Sequence, residues 1–90
     1  MAMKTRLEVI FDSEADVLYI SKGRPVLSHV DEKEDGLLLR LANTDGHPTG
    51  ITALDFRDTW RNRESEFYAR VADDLGVSTA AVRYEIERWF

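Results

Sequence analysis

The chain of 90 residues has no cysteine, two prolines, five glycines and no long apolar run. Each shortage excludes something. Without Cys there is no disulfide framework, no thiolate zinc site and no cysteine nucleophile. With so little Pro and Gly the chain is neither collagen-like nor a low-complexity linker. Nothing approaches the roughly 18 apolar residues of a membrane span. The stretch from Met1 to Phe11 lacks the apolar core of a signal peptide, so a cytoplasmic protein without membrane contact is expected. Basic charge is also short, with 12 Lys+Arg against 17 Asp+Glu and a net charge of −5. What remains is ordinary globular material, 43% hydrophobic and 32% charged, enough for a single domain over 1–90. A chain this small buries only about 60–65% of the surface its unfolded form exposes. The margin of stability is thin, and association with a second copy is the expected remedy.

The first half reads as strands. Arg6–Phe11 is β-branched and aromatic, and Val17–Ser21 resumes that composition after the polar cluster Asp12-Ser13-Glu14-Ala15-Asp16. The two predict a hairpin. A third strand is predicted over Val26–Val30, a fourth over Leu37–Leu41 and a fifth over Gly50–Phe56, with Asp45-Gly46 as the tight turn between the last two. Short strands joined by short turns argue for an antiparallel meander. Both faces of the first two strands carry apolar residues, and such strands need cover on both sides. A second copy is expected over the face bearing part of Ile10, Leu18, Ile20, Leu54 and Phe56, or their alternates.

The second half changes period. Phe67, Val71 and Leu75 recur at i, i+4 and i+8, which is a helical stripe. Helices are predicted over about 58–75 and 78–90, with a break allowed in the polar stretch Arg61–Ser65. Gly76 suits the left-handed residue that ends the first helix, and Ser78 is the predicted N-cap of the second. Charge divides unevenly between the halves. Residues 1–56 hold 6 Lys+Arg against 10 Asp+Glu, while 57–90 hold 6 against 7.

The densest motif is Asp12-Ser13-Glu14-Ala15-Asp16-Val17-Leu18-Tyr19-Ile20. With Gly36-Leu37-Leu38-Leu39, the Asp45-Gly46 turn and Gly50-Ile51, it resembles the domain of unknown function 2283 family over about residues 6–56. That resemblance implies a small β-meander with a helix and no established activity. The tail of about two helices departs from the family pattern. Read for its own chemistry, the Asp12-Glu14-Asp16 run is not a calcium loop, because Val17 and Gly23 stand where the turn Gly and the bidentate acid belong. Turn chemistry accounts for it instead, with Asp12 or Ser13 accepting backbone N–H groups.

Ala72, Gly76 and Val82 carry the spacing of a helix-turn-helix, flanked by Leu75 and Val77. The pattern slips at Glu85, where an apolar residue belongs, and Ile86 comes one position late. In this reading Ser78, Thr79, Arg83 and Arg70 would contact DNA. Glu85 and Glu87 offset Arg83 and Arg88, and no basic footprint marks the chain, so DNA is the alternative and not the favoured partner. His29 and His47 are the two histidines, and a two-His site would need both with a carboxylate. No serine lies in a nucleophile-elbow context and no phosphate loop exists, so neither enzyme nor cofactor is expected. Trp89 and Phe90 end the chain, docking either on the sheet or on a partner, with Phe56 and Trp60 as expected neighbours.

The sequence therefore predicts an α+β domain: a small curved antiparallel sheet of about five strands followed by two C-terminal helices. The expected function is a non-enzymatic protein-interaction module acting as a homodimer, with Ile10, Leu18, Ile20, Trp89 and Phe90 at the interface. The alternative is a helix-turn-helix regulator or antitoxin-like DNA-binding protein.

Overall fold

A computed structural model describes residues 6–90. The expectation of no signal segment lies partly outside them. Five strands form one antiparallel sheet: β1 (Leu7–Asp12), β2 (Val17–Lys22), β3 (Ser28–Glu32), β4 (Leu37–Ala42) and β5 (Pro48–Ala53). Three helices follow, α1 (Phe56–Trp60), α2 (Glu64–Leu75) and α3 (Thr79–Glu87). The α+β class and the order of sheet then helices are those the sequence predicts. The sheet order is β1-β2-β5-β4-β3. Strand β5 lies beside β2, so β2-β5-β4-β3 has Greek-key order and the segment between Lys22 and Ser28 crosses the ends of two strands. Val26 and Leu27 belong to this crossing, which is why β3 begins two residues later than the apolar run suggests. The long helix predicted from 58 breaks at Arg61–Arg63, and Trp60 turns inward at the end of α1.

Register decides which side chains meet. Val9 opposes Ile20 and Phe11 opposes Leu18; Ile20 opposes Ile51 and Leu18 opposes Ala53; Ile51 opposes Leu39 and Ala53 opposes Leu37. These residues form one face, and the helices bury it with Phe56, Trp60, Phe67, Val71, Leu75, Val82 and Ile86. Leu18 and Ile20 are thus fully buried inside the chain's own core, and neither is available to a second copy. Phe56 is likewise internal, at the start of a helix where a strand was expected. The reason is parity: Val17-Leu18-Tyr19-Ile20 is apolar at every position, and pairing Asp12 with Val17 turns the even-numbered pair inward.

The helical ends are set by local chemistry. Gly76 takes φ 68°, the left-handed conformation that suits glycine, and the N–H of Val77 reaches back to Ala72 O at 3.0 Å. Lys22 Nζ donates to Leu75 O at 2.6 Å, placing a cation on the negative end of α2. The predicted Ser78 cap is present, its Oγ accepting from the N–H of Ala81 at 3.1 Å.

Gly50 is needed for space. A Cβ there would stand 2.5 Å from Ile20 O and closer still to the Arg40 guanidinium. The carbonyl belongs to the neighbouring strand and yields only if the sheet moves. Gly50→Ala is expected to lower stability by about 1–3 kcal/mol, the usual range for overpacking. Chemical denaturation checks it, and an unchanged midpoint would show that the two strands have room to separate.

Candidate interaction surface

On the face away from the helices, Ile10, Tyr19, Thr52, Leu38 and Glu32 run in one row across β1, β2, β5, β4 and β3. Beside them run Glu8, Ser21, Gly50, Arg40 and Val30. No element of the described residues covers this face. Ile10 is 59% exposed and Val30 57%, and Tyr19 is also exposed. Ile10 is the one expected interface residue that lies here.

Arg40 crosses the middle of the second row. It lies over the missing side chain of Gly50 and donates from Nη2 to Ile20 O at 2.7 Å and to Ser21 Oγ at 3.3 Å. Its Nε is buried with no hydrogen-bond partner, and no carboxylate of the described residues pairs with it. Burial pushes its pKa down from the ordinary arginine value. Nothing in the run Leu37–Leu41 marks Arg40 out in advance.

The two edges of the sheet differ. Arg6 O accepts from the N–H of Gly23, so the backbone groups of Leu7, Val9 and Phe11 point away from β2 at the β1 edge. Just beyond α3, Trp89 covers this edge at one point: its Nε1 donates to Val9 O at 2.8 Å. Beside it, a groove of about 850 Å³ runs between β1 and α3, walled by Ala81, Tyr84 and Arg88. Phe90 packs edge-on against Phe11 at 5.0 Å and lies 5.6 Å from Phe56. Trp89 and Phe90 therefore dock on the chain's own sheet, although both stay partly exposed. Removing residues 89 and 90 is expected to lower stability by about 2–4 kcal/mol, from one lost hydrogen bond and about half of two aromatic burials. A thermal midpoint equal to that of the full chain would remove this role.

The four residues of the DNA reading do not come together. Ser78 and Thr79 lie at the start of α3 and Arg83 in its middle, with Ser78 Oγ already committed to its cap. Arg83 Nε pairs with Glu87 at 3.4 Å, and Arg88 with Glu85 at 3.6 Å. Arg70 faces elsewhere, in a depression with Glu32, Lys33, Glu34 and Asp74.

The acidic motif has a structural task. Asp12 Oδ1 accepts from the N–H groups of Glu14 and Ala15, both at 3.1 Å, as turn chemistry requires. Asp16, at φ 58°, sends its carboxylate to the start of α1. It accepts from Arg57 N at 3.0 and 3.1 Å and from Arg57 Nε at 3.0 Å, while Arg57 Nη2 donates to Ser13 O at 2.6 Å. Asp55 and Asp58 stand near enough to share a cation with Asp16, but the Arg57 guanidinium already supplies positive charge there. The histidines serve separate partners. His29 Nδ1 meets Asn43 Oδ1 at 2.9 Å, and His47 meets Asp45.

No helix among the described residues is long and apolar enough to cross a membrane. No protein-family model, curated protein or solved structure matches the chain.

Proposed function

We propose that the protein is a small non-enzymatic interaction module, of the kind its resemblance to the domain of unknown function 2283 family suggests, and that it acts as a homodimer. One observation carries this reading. The sheet is finished on one side by the chain's own helices and left bare on the other, with Ile10, Tyr19 and Val30 open to solvent. Apolar side chains scattered singly need no explanation, but here they share one face of one sheet. The dispersal of polar chemistry supports the same view. Asp12, Asp16, His29 and His47 are each engaged in turns, caps or pairs within the fold, and none converges with a nucleophile.

Light scattering over a concentration series tests the reading. Twice the chain mass of 10.3 kDa, falling toward the single mass on dilution, is expected. A single-chain mass up to several hundred micromolar would end it.

A further inference from the structure

We infer that the dimer forms through β3, two copies pairing antiparallel about Val30 into one continuous ten-stranded sheet. This rests on the dimer reading and adds which surface makes it.

The backbone supplies the first argument. Asn43 N donates to Leu27 O and Lys33 N donates to Leu37 O. Odd-numbered residues of β3 are therefore bonded to β4, and the N–H and C=O groups of Ser28, Val30 and Glu32 face outward. Nothing in the described residues covers them, whereas at the opposite edge Trp89 takes the outward carbonyl of Val9. The exposed apolar residues Val26, Leu27 and Val30 also gather here, Leu27 at 85% exposure.

The sequence of the edge supplies the second. Two-fold antiparallel pairing centred on Val30 sets Val30 against its own copy and Ser28 against Glu32 of the other chain, as hydrogen-bonded pairs. It sets His29 against Asp31 twice over, in the non-hydrogen-bonded pairs where side chains lie closest. His29 uses Nδ1 on Asn43, which leaves Nε2 for the facing carboxylate. Ser-His-Val-Asp-Glu is thus complementary to itself in this register. A shift by two residues in either direction sets an acid against an acid or a histidine against a histidine. The next pair outward places exposed Leu27 along the aliphatic stem of Lys33. An isologous contact of this kind closes at two, because each copy spends the same edge on the other. Its two-fold axis stands perpendicular to the sheet, so the bare faces of both copies lie on the same side and join.

Proline tests the edge directly. Within a strand, an outward-facing N–H at a sheet edge is a place where proline is tolerated. Val30→Pro is expected to leave circular dichroism and cooperative melting unchanged while weakening dimerisation about 30-fold, through the two hydrogen bonds of the central pair. His29→Asp and Asp31→His are each expected to weaken it about tenfold, and the double exchange to restore it. These exposed substitutions keep the test decisive if the proline variant fails to fold. Tyr19→Asp, on the bare face, is expected to leave the dimer intact. The inference is overturned by a Val30→Pro chain that folds and keeps the wild-type mass, by charge variants with no effect, by a double exchange that does not restore, or by mass that grows without limit. Dissociation by Tyr19→Asp alone would keep the dimer reading and move the interface to the face. A monomeric wild type would end both.

Discussion

Replacing Trp60 by alanine is expected to remove about 3–5 kcal/mol of stability, the largest loss any single side chain of this protein should show. The indole is fully buried. It lies 5.2 Å from the Phe67 ring, which in turn lies 5.0 Å from Phe56. The Arg63 guanidinium covers it from outside, 4.5 Å from the ring centre. A 90-residue domain holds about 5–14 kcal/mol in all, so the variant should melt at least about 15 °C lower. Trp60→Phe should behave very differently. The indole Nε1 is buried without an acceptor, and an unsatisfied donor costs about 1–3 kcal/mol. Phenylalanine removes that donor but leaves a small cavity, two effects of opposite sign and similar size. The net change should lie within about 1 kcal/mol of zero. Equal, large losses for both variants in urea denaturation would show that the indole N–H is satisfied after all.

The second large effect belongs to Asp16. Its side chain is only 16% exposed and joins the β1–β2 turn to α1, 41 residues further on. Burial alone would raise its pKa. The Arg57 N–H and guanidinium outweigh burial and hold the carboxyl below its ordinary value of 3.8. Asp16→Ala loses a helix cap, a charge-assisted pair and a residue type suited to positive φ, together about 2–4 kcal/mol. Asp16→Asn keeps an acceptor and tolerates the left-handed backbone, so about half of that loss is expected. The sign of the pH effect follows from the depressed pKa. The contribution is complete above the unfolded value and is lost as pH falls through the folded one. Between about pH 4 and pH 2 the wild type should lose more stability than Asp16→Asn, and parallel curves would refute the role given to the carboxylate.

Much of this fold is legible in local patterns. The β-branched runs place the strands, the Phe67-Val71-Leu75 stripe places α2, and Ser78 and Gly76 mark helix boundaries where the backbone puts them. Turn chemistry identifies Asp12, whose side chain accepts two N–H groups of its own turn. Strand order is another matter. Whether β3 or β5 lies beside β2 depends on contacts more than 20 residues apart, and no local period encodes it. The faces of β2 are equally silent, because four apolar residues in succession satisfy either parity, and Leu18 and Ile20 fit the inner face as well as the outer. Arg40 escapes notice because its place depends on Gly50, ten residues on and directly opposite it in β5. A glycine inside an otherwise β-branched strand is the one signal that something crosses there.

The Greek-key order has a consequence for how the molecule comes into being. The strand that joins the two halves of the sheet, β5, is the last of the five to be synthesised. Until residues 48–53 exist, β1–β2 and β3–β4 are two separate hairpins with no shared hydrogen bond, and an isolated hairpin is marginal in water. Neither can persist on its own, and the helices that cover the core arrive later still. The final contact, from Trp89 to Val9, spans 80 residues of the chain. Such non-local closure slows folding. These residues should therefore acquire their structure in one cooperative event that waits for β5 and for the helices behind it.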